Sequence, residues 1–95
     1  MTDGQASISA EILARYAADA AREVDGVAGL AGRRGVRIER DDDAVRVELH
    51  LVVDWGASLT QVGQTVQARV RDYLVQMADV RPAVDVVIDA VGPLR

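Results

Sequence analysis

The sequence lacks several residue types on which common enzymatic and metal chemistries depend. Cysteine is absent, which excludes disulfides, thiol catalysis and cysteine-ligated zinc. Histidine occurs once, as His50, so few routes are open to acid–base chemistry near neutral pH. The sequence also contains no motif of the serine-hydrolase, zinc-protease or phosphate-loop type. These absences favour a protein that is not an enzyme and that needs no cofactor or metal.

Lysine is also absent, and the charge balance is acidic. The 11 basic residues are all arginines, and with 15 acidic residues they give a formal net charge of −4. Non-specific nucleic-acid binding and docking on an anionic membrane both need a surplus of positive charge, so both are disfavoured. No apolar run approaches the ~20 residues of a membrane-spanning helix, and residues 1–5 lack the basic-then-apolar order of a signal peptide. We therefore expect a cytoplasmic protein that reaches a membrane only through a partner.

Phenylalanine is absent and aromatic residues make up 3% of the chain, so small branched side chains must build the core. A chain of 95 residues forms one domain, which buries only roughly 60–65% of the surface that the unfolded chain exposes. We predict this domain over residues 7–92, with flexible tails at 1–6 and 93–95. So thin a core, together with the frequency of homo-oligomers among small proteins, favours self-association.

Helical periodicity begins after Ser9, which is a suitable N-cap for a first helix. The apolar residues of this helix recur at the spacing of one face, and they are Ile12, Leu13, Tyr16, Ala17, Ala20, Ala21 and Val24. Gly26 suits the left-handed position that ends a helix. The apolar segment that follows, at 27–30, is short enough to be a strand.

From Val36 onward the apolar period changes to two, which predicts an antiparallel hairpin. Its second strand covers 45–53, and the three aspartates at 41–43 form its turn. Alternation gives the hairpin one dry face and one solvated face. Cross-strand charge pairs are expected on the solvated face, among Arg37, Glu39, Arg46 and Glu48.

A second helix follows the strand, and Ser58 or Thr60 can cap it. Its predicted buried stripe consists of Val62, Val66, Val70, Tyr73, Leu74 and Met77. Pro82 prevents the helix from continuing. A last strand covers 84–91, and because both of its alternating sets are partly apolar it suits a central strand covered on two sides, or an interface.

This order of elements predicts an α+β fold, in which two helices pack on one face of a small mixed sheet of three to four strands. The last strand follows the second helix, so it can pair in parallel with the strand that precedes that helix. No internal repeat or low-complexity segment suggests a different architecture.

Several polar motifs have simple structural explanations. Three adjacent aspartates at 41–43 point in different directions, which suits a solvated turn better than a calcium loop. His50 falls in the outward set of its strand with no nucleophile motif in the chain, which suits a surface position. Asp85 and Asp89 are expected to share a face of the last strand, where solubility of a sheet edge explains them better than an acid–base pair does.

The segment from Gly32 to Gly35 has the GxxG form of the loop that clamps the RNA backbone in KH domains. In those domains the loop joins two helices, whereas here it precedes a strand, so a turn with exposed arginines is the simpler interpretation. A small RNA-binding module that uses Arg33 and Arg34 stays as the alternative function. It predicts binding that falls steeply as salt rises.

Trp55 is the most informative single residue of the sequence. It ends a strand beside Gly56, at a position where a large aromatic side chain is often half exposed. Because tryptophan is enriched at interface hot spots, Trp55, Gly56 and Leu59 are candidates for contact with a partner or a second copy. Trp55 suits equally well a role in capping the open end of the thin core. The second face of the last strand adds Val87 and Val91 as candidate interface residues.

Short segments spread over residues 7–92 also match a family pattern in the right order. They are ISAEI at 8–12, EVDGVAGL at 23–30, VRVELHLVV at 45–53, WGASL at 55–59, VQARV at 66–70 and VDVVI at 84–88. Together they resemble the alkaline shock protein family of bacterial envelope stress response proteins. The sequence departs from that family at Trp55, where the usual residue is tyrosine.

This resemblance implies a non-enzymatic protein of Gram-positive bacteria that takes part in cell-envelope homeostasis. It further implies that the protein forms a homo-oligomer. A small membrane-anchored protein would hold it beneath the membrane, which agrees with the lack of a spanning helix and of a basic patch.

Overall fold

Six helices and strands follow one another in the computed structural model, which describes residues 8–32, 35–41 and 44–92. They are α1 (Ala10–Arg22), β1 (Val27–Leu30), β2 (Val36–Asp41), β3 (Ala44–Val53), α2 (Leu59–Ala78) and β4 (Pro82–Val91). Each element predicted from periodicity is present in the predicted order. The tails predicted at 1–6 and 93–95 lie outside the described residues.

β3 is the central strand of a mixed sheet of four strands. β4 pairs in parallel with one edge of β3, along residues 45–53 of β3. β1 and β2 therefore share the other edge of β3, and both pair with it antiparallel. Both helices pack on one face of this sheet. The predicted α+β fold with a small mixed sheet is therefore confirmed, and so is the parallel connection from β3 through α2 to β4.

The core lies between the helices and the face of β3 that alternation predicted to be dry. The β3 residues on this face are between 0% and 6% exposed, and they are Val45, Val47, Leu49, Leu51 and Val53. They form one cluster with Leu13 and Ala17 of α1 and with Val66 and Val70 of α2. Most core side chains are valine or alanine, which agrees with the thin core expected from the composition.

α1 begins where the sequence predicts and ends earlier. The Ser9 side chain accepts a hydrogen bond from the N–H of Ile12 at 3.1 Å, so the predicted cap is confirmed. The helix ends at Arg22, and the prediction that Gly26 ends it is wrong. Gly26 lies instead in the turn before β1 with φ +97°, where a Cβ would lie 2.7 Å from Val62 Cγ2. Both its conformation and the lack of space require glycine at this position.

α2 is capped by Ser58, whose side chain accepts from the N–H of Gln61 at 3.3 Å. The predicted stripe is buried at Val62, Val66, Val70 and Leu74. Tyr73 is partly buried, and its ring meets that of Tyr16 edge to face at 5.8 Å, which joins the two helices. Met77 is 46% exposed, so its predicted burial is wrong. Ala78 and Val80 pack against the core at that end instead.

β4 is an edge strand in the part of the chain that the structure describes. Its two apolar sets suggested a central strand or an interface, but β3 is its only partner among these residues. The predicted central position is therefore wrong, because β3 pairs with one side of β4 and no strand of the described residues pairs with the other. Three of its residues face the helices: Val84 is buried, and Val86 and Ile88 are partly buried.

A β-bulge changes which residues of β4 share a face. The register shifts between Leu51 and Val52 of β3, which leaves Asp89 without a register partner. Val87 therefore pairs with an outward residue of β3, whereas Val91 pairs with Val53, which faces the helices. The prediction that Val87 and Val91 belong to one face is wrong, because the extra residue inverts the alternation between them.

Candidate interaction site

The candidate site begins at the turn between β3 and α2. The N–H of Ala57 donates to the carbonyl of Asp54 at 3.1 Å, and Gly56, the third residue of this turn, has φ +90°. A turn with positive φ at that position favours glycine, which has no Cβ to clash. Trp55 occupies the second position and is 66% exposed. A side chain this exposed does not cap the core. Of the two roles predicted for Trp55, contact with a partner or a second copy is the one that stays a prediction.

Two further exposed apolar residues lie at the same end of the sheet. Leu59 is the first residue of α2 and is 44% exposed. Val91 is 42% exposed and pairs with Val53, two residues before Trp55, and the N–H of Gly92 donates to the Val53 carbonyl beside it. We term the set Trp55, Gly56, Leu59 and Val91 the Trp55 end. Val87 does not belong to it, since it lies on the open face of the sheet.

The open face, which is the face of the sheet away from the helices, is mostly charged. The register aligns Arg37 with Glu48 and Glu39 with Arg46, as the alternation predicts. Arg46 nonetheless forms an ion pair with Asp85 of β4, at 3.6 Å. These side chains are more than half exposed, except that of Glu48, so their ion pairs contribute little to stability.

A hydrogen-bonded cluster centres on His50, which the sequence predicts at the surface. His50 Nε2 lies 2.6 Å from Glu48 Oε2, and Nδ1 lies 3.0 Å from Asp89 Oδ1. The hydrogen bonds to Asp89 and then to Glu48 raise the pKa of His50, and the bond to His50 lowers the pKa of Glu48. Alternation already places Glu48 and His50 on one face. The contact with Asp89 depends on the parallel register and the bulge, which no local pattern reveals.

A shallow groove of about 330 Å³ separates α2 from β4. Its lining residues are Leu59, Thr60, Gly63, Gln64, Gln67, Val86 and Ile88. Gln67 Nε2 donates to the carbonyl of Val84 at 2.8 Å, so this side chain reaches from the helix to the strand. Gly63 has no atom within 4 Å of the position that a Cβ would take, which leaves the groove open there. The sequence held no signal for this groove, because it exists only where α2 lies beside β4.

The residues of the alternative RNA hypothesis, Arg33 and Arg34, lie outside the described residues, as do Asp42 and Asp43 of the hairpin turn. Within 8–32, 35–41 and 44–92, no three His, Asp or Glu side chains are arranged to bind a metal ion. In the same ranges, neither helix combines the length and the apolar character that crossing a bilayer requires.

Comparison with known proteins relates the chain to a family and to two bacterial proteins. A model of the alkaline shock protein 23 family, which has a cell envelope-related function, matches residues 1–92. The chain is similar to the uncharacterized protein YqhY of Bacillus subtilis (strain 168), with 30% identity over 89 residues that cover 78% of this chain and 66% of YqhY. It is also similar to the uncharacterized protein YloU of the same organism, with 25% identity over 85 residues that cover 72% of this chain and 71% of YloU. The chain thus spans about two thirds of the length of these curated relatives.

Solved structures with a similar fold include forms of MamM CTD. A variant in its zinc form superposes with a TM-score of 0.66 at 20% identity, over 87% of each chain. The copper form also gives a TM-score of 0.66 at 20% identity, over 85% of each chain. Identity this low shows a shared fold and not a shared function.

Proposed function

Because this chain belongs to the alkaline shock protein 23 family, whose function is cell envelope-related, we propose that it is a non-enzymatic interaction protein of the envelope stress response. It acts by self-association and by binding a small membrane-anchored partner. The partner holds it at the cytoplasmic side of the membrane, since the chain itself does not insert. Neither activity requires a cofactor or a metal.

The observation that carries this proposal is the exposed Trp55 end. Single exposed apolar residues are ordinary on protein surfaces, but Trp55 is accompanied there by Leu59 and Val91. Full burial of an exposed valine or leucine side chain gains roughly 1.5–3 kcal/mol, of which Leu59 and Val91 would gain a part, so covering these residues is favourable. Tryptophan is also the residue type most enriched at interface hot spots. The geometry thus supports a binding surface rather than a catalytic pocket.

Self-association is tested by sedimentation equilibrium of the full chain over a wide concentration range. We expect an average mass that rises above that of the monomer as concentration increases. A mass that stays monomeric throughout would contradict the self-association half of the proposal.

Partner binding is tested by affinity capture from membranes of the native host, with and without nuclease. We expect a protein with one membrane-spanning helix in both samples, retained by Met77→Ala and lost by Trp55→Ala. Met77 is the matched control, because it is also apolar and exposed but lies near the end of α2. Recovery that depends on nucleic acid would contradict the proposal and favour an RNA-binding module.

A further inference from the structure

β4 presents an unpaired strand edge beside an apolar groove. Among residues 8–32, 35–41 and 44–92, no strand pairs with β4 on the side away from β3. An edge of this kind exposes a row of backbone N–H and C=O groups that another strand can pair with. Val86 and Ile88 are only partly buried on this edge, and they line the groove together with Leu59 and Gly63 of α2.

The hydrogen bond from Gln67 indicates which backbone groups of β4 face the free edge. Gln67 reaches the Val84 carbonyl from α2, so this carbonyl points away from β3. The N–H and C=O of one strand residue point to the same side, and that side alternates along the strand. Val86 and Ile88 therefore also direct their N–H and C=O groups to the free edge. The Val84 oxygen has a second lone pair, so it can accept from a new strand while it keeps Gln67.

We propose that this edge is the self-association surface, and that a second copy adds its own β4 antiparallel to the first about a two-fold axis at Val86. The inference rests on the proposed function, because it names the surface through which self-association occurs. In this register Val86 pairs with Val86 of the second copy, and Val84 pairs with its Ile88. Apolar side chains thus meet on the groove side, and the residue sets match because a two-fold interface uses the same patch twice.

The charges on the open face of the sheet favour this register over the neighbouring one, and they allow a second copy of the strand to occupy the edge. With the axis at Val86, Asp85 lies opposite Val87 of the second copy, so no carboxylate faces another. With the axis one residue further, at Val87, Asp85 would lie opposite Asp89 of the second copy, and like charges directly opposite each other destabilise a sheet. Asp85 contacts Arg46 of its own chain at 3.6 Å, and this register leaves that contact in place. Of these two registers, only the one with its axis at Val86 keeps the carboxylates of the two copies apart.

The test introduces opposite charges at Val87 and measures the dimer dissociation constant of the full chain by sedimentation equilibrium at low salt. Val87→Asp places a carboxylate opposite Asp85 of the second copy, twice per dimer, and weakens the dimer. Val87→Arg places a guanidinium there and strengthens it. Two such cross-strand pairs change the dissociation constant by about 2- to 30-fold in each direction. Both shifts shrink at high salt because these charges are exposed.

Val75→Asp and Val75→Arg are the matched controls. Val75 is 38% exposed on α2 and Val87 is 40% exposed on β4, so both positions tolerate a charge, and circular dichroism checks that each variant is folded. Opposite shifts at Val87, with none at Val75, support the Val86 register. Weakening by both Val87 variants would overturn it, because that result places Val87 opposite itself.

Two other outcomes would separate this inference from the proposed function. If wild type dimerises and no Val87 variant changes the dissociation constant, β4 is not the surface, whereas self-association stands. If wild type is monomeric at every concentration, both fail. If Val87→Asp weakens capture of a membrane-anchored protein and leaves the dimer unchanged, that partner and not a second copy occupies the edge.

Discussion

The two faces of β3 come from one run of ten residues, yet they differ in polarity, burial and charge. The face toward the helices is aliphatic and at most 6% exposed. The open face carries Arg46, Glu48 and His50, which are partly or fully exposed and form ion pairs and hydrogen bonds with one another or with β4. The buried face of the strand therefore stabilises the fold, whereas the open face can vary in charge and form polar contacts.

The largest effect on stability is expected from a substitution on the buried face of β3. Leu49 is fully buried, so Leu49→Ala leaves a cavity and lowers the free energy of unfolding by about 2–5 kcal/mol. Val52 is on the open face and only partly buried, so Val52→Ala costs about 1 kcal/mol or less. Urea unfolding of both variants at one protein concentration makes the comparison. Equal losses would mean that the two faces contribute alike to stability.

The next largest effect is on binding affinity and not on the stability of the fold. Trp55→Ala is expected to weaken partner binding by about 1–3 kcal/mol, which is the loss typical of an interface hot spot. The stability of the monomer should change by less than about 0.5 kcal/mol, because the side chain is mostly exposed. Dissociation constants of Trp55→Ala and of the control Met77→Ala provide the measurement. Unchanged binding in a folded Trp55→Ala variant would remove Trp55 from the interface.

A smaller effect is expected in how the stability of the fold depends on pH, because His50 and Glu48 on the open face titrate. The pKa of His50 is raised by its hydrogen bonds to Asp89 and Glu48, so protonated His50 favours the folded state. This contribution is fully present below the ordinary value of 6.5 and is lost as pH rises through the raised pKa. The pKa of Glu48 is lowered, so its contribution is present above 4.5 and is lost as pH falls through the lowered pKa.

We therefore expect the urea midpoint of wild type to fall as pH rises above 6.5. His50→Gln should remove this decline and leave the open face otherwise intact. The two midpoints are compared at several pH values and at a fixed protein concentration, because association also affects stability. Parallel pH profiles for the two proteins would show that His50 is not the titrating group.

The smallest effect is expected at the exposed ion pair between Arg46 and Asp85, whose atoms lie 3.6 Å apart. Arg46→Ala and Asp85→Asn should each lower stability by about 0.2–1 kcal/mol, with the loss decreasing in high salt. A double-mutant cycle in urea isolates the pair. A coupling energy as large as the loss at Leu49 would contradict the division between the two faces.

Local patterns were sufficient to predict the elements and most of the core. Alternation over 45–53 identifies the buried residues of β3. Short polar side chains satisfy free N–H groups at helix starts, so the sequence predicts the cap at Ser9 and offers Ser58 and Thr60 for α2, of which the structure uses Ser58. Met77 was misplaced because the period of a helix defines its apolar face but not how far along the helix that face stays covered. The sequence predicts a positive φ at Gly26. It does not predict that Gly26 lies beside Val62, because the two residues are far apart in the chain.

Local patterns along the chain are sufficient to predict the fold class, the dry face of the sheet and the turn at Trp55, because each depends on residues close together in the chain. They leave open whether the Trp55 side chain is exposed or caps the core. Three features follow from the three-dimensional arrangement alone: β4 is an edge strand, Val87 and Val91 lie on opposite faces, and Asp89 contacts His50. These features arise from the pairing of β4 with β3 and from one unpaired residue in that pairing. Residues 39 positions apart meet there, and no period within either strand encodes the register that joins them.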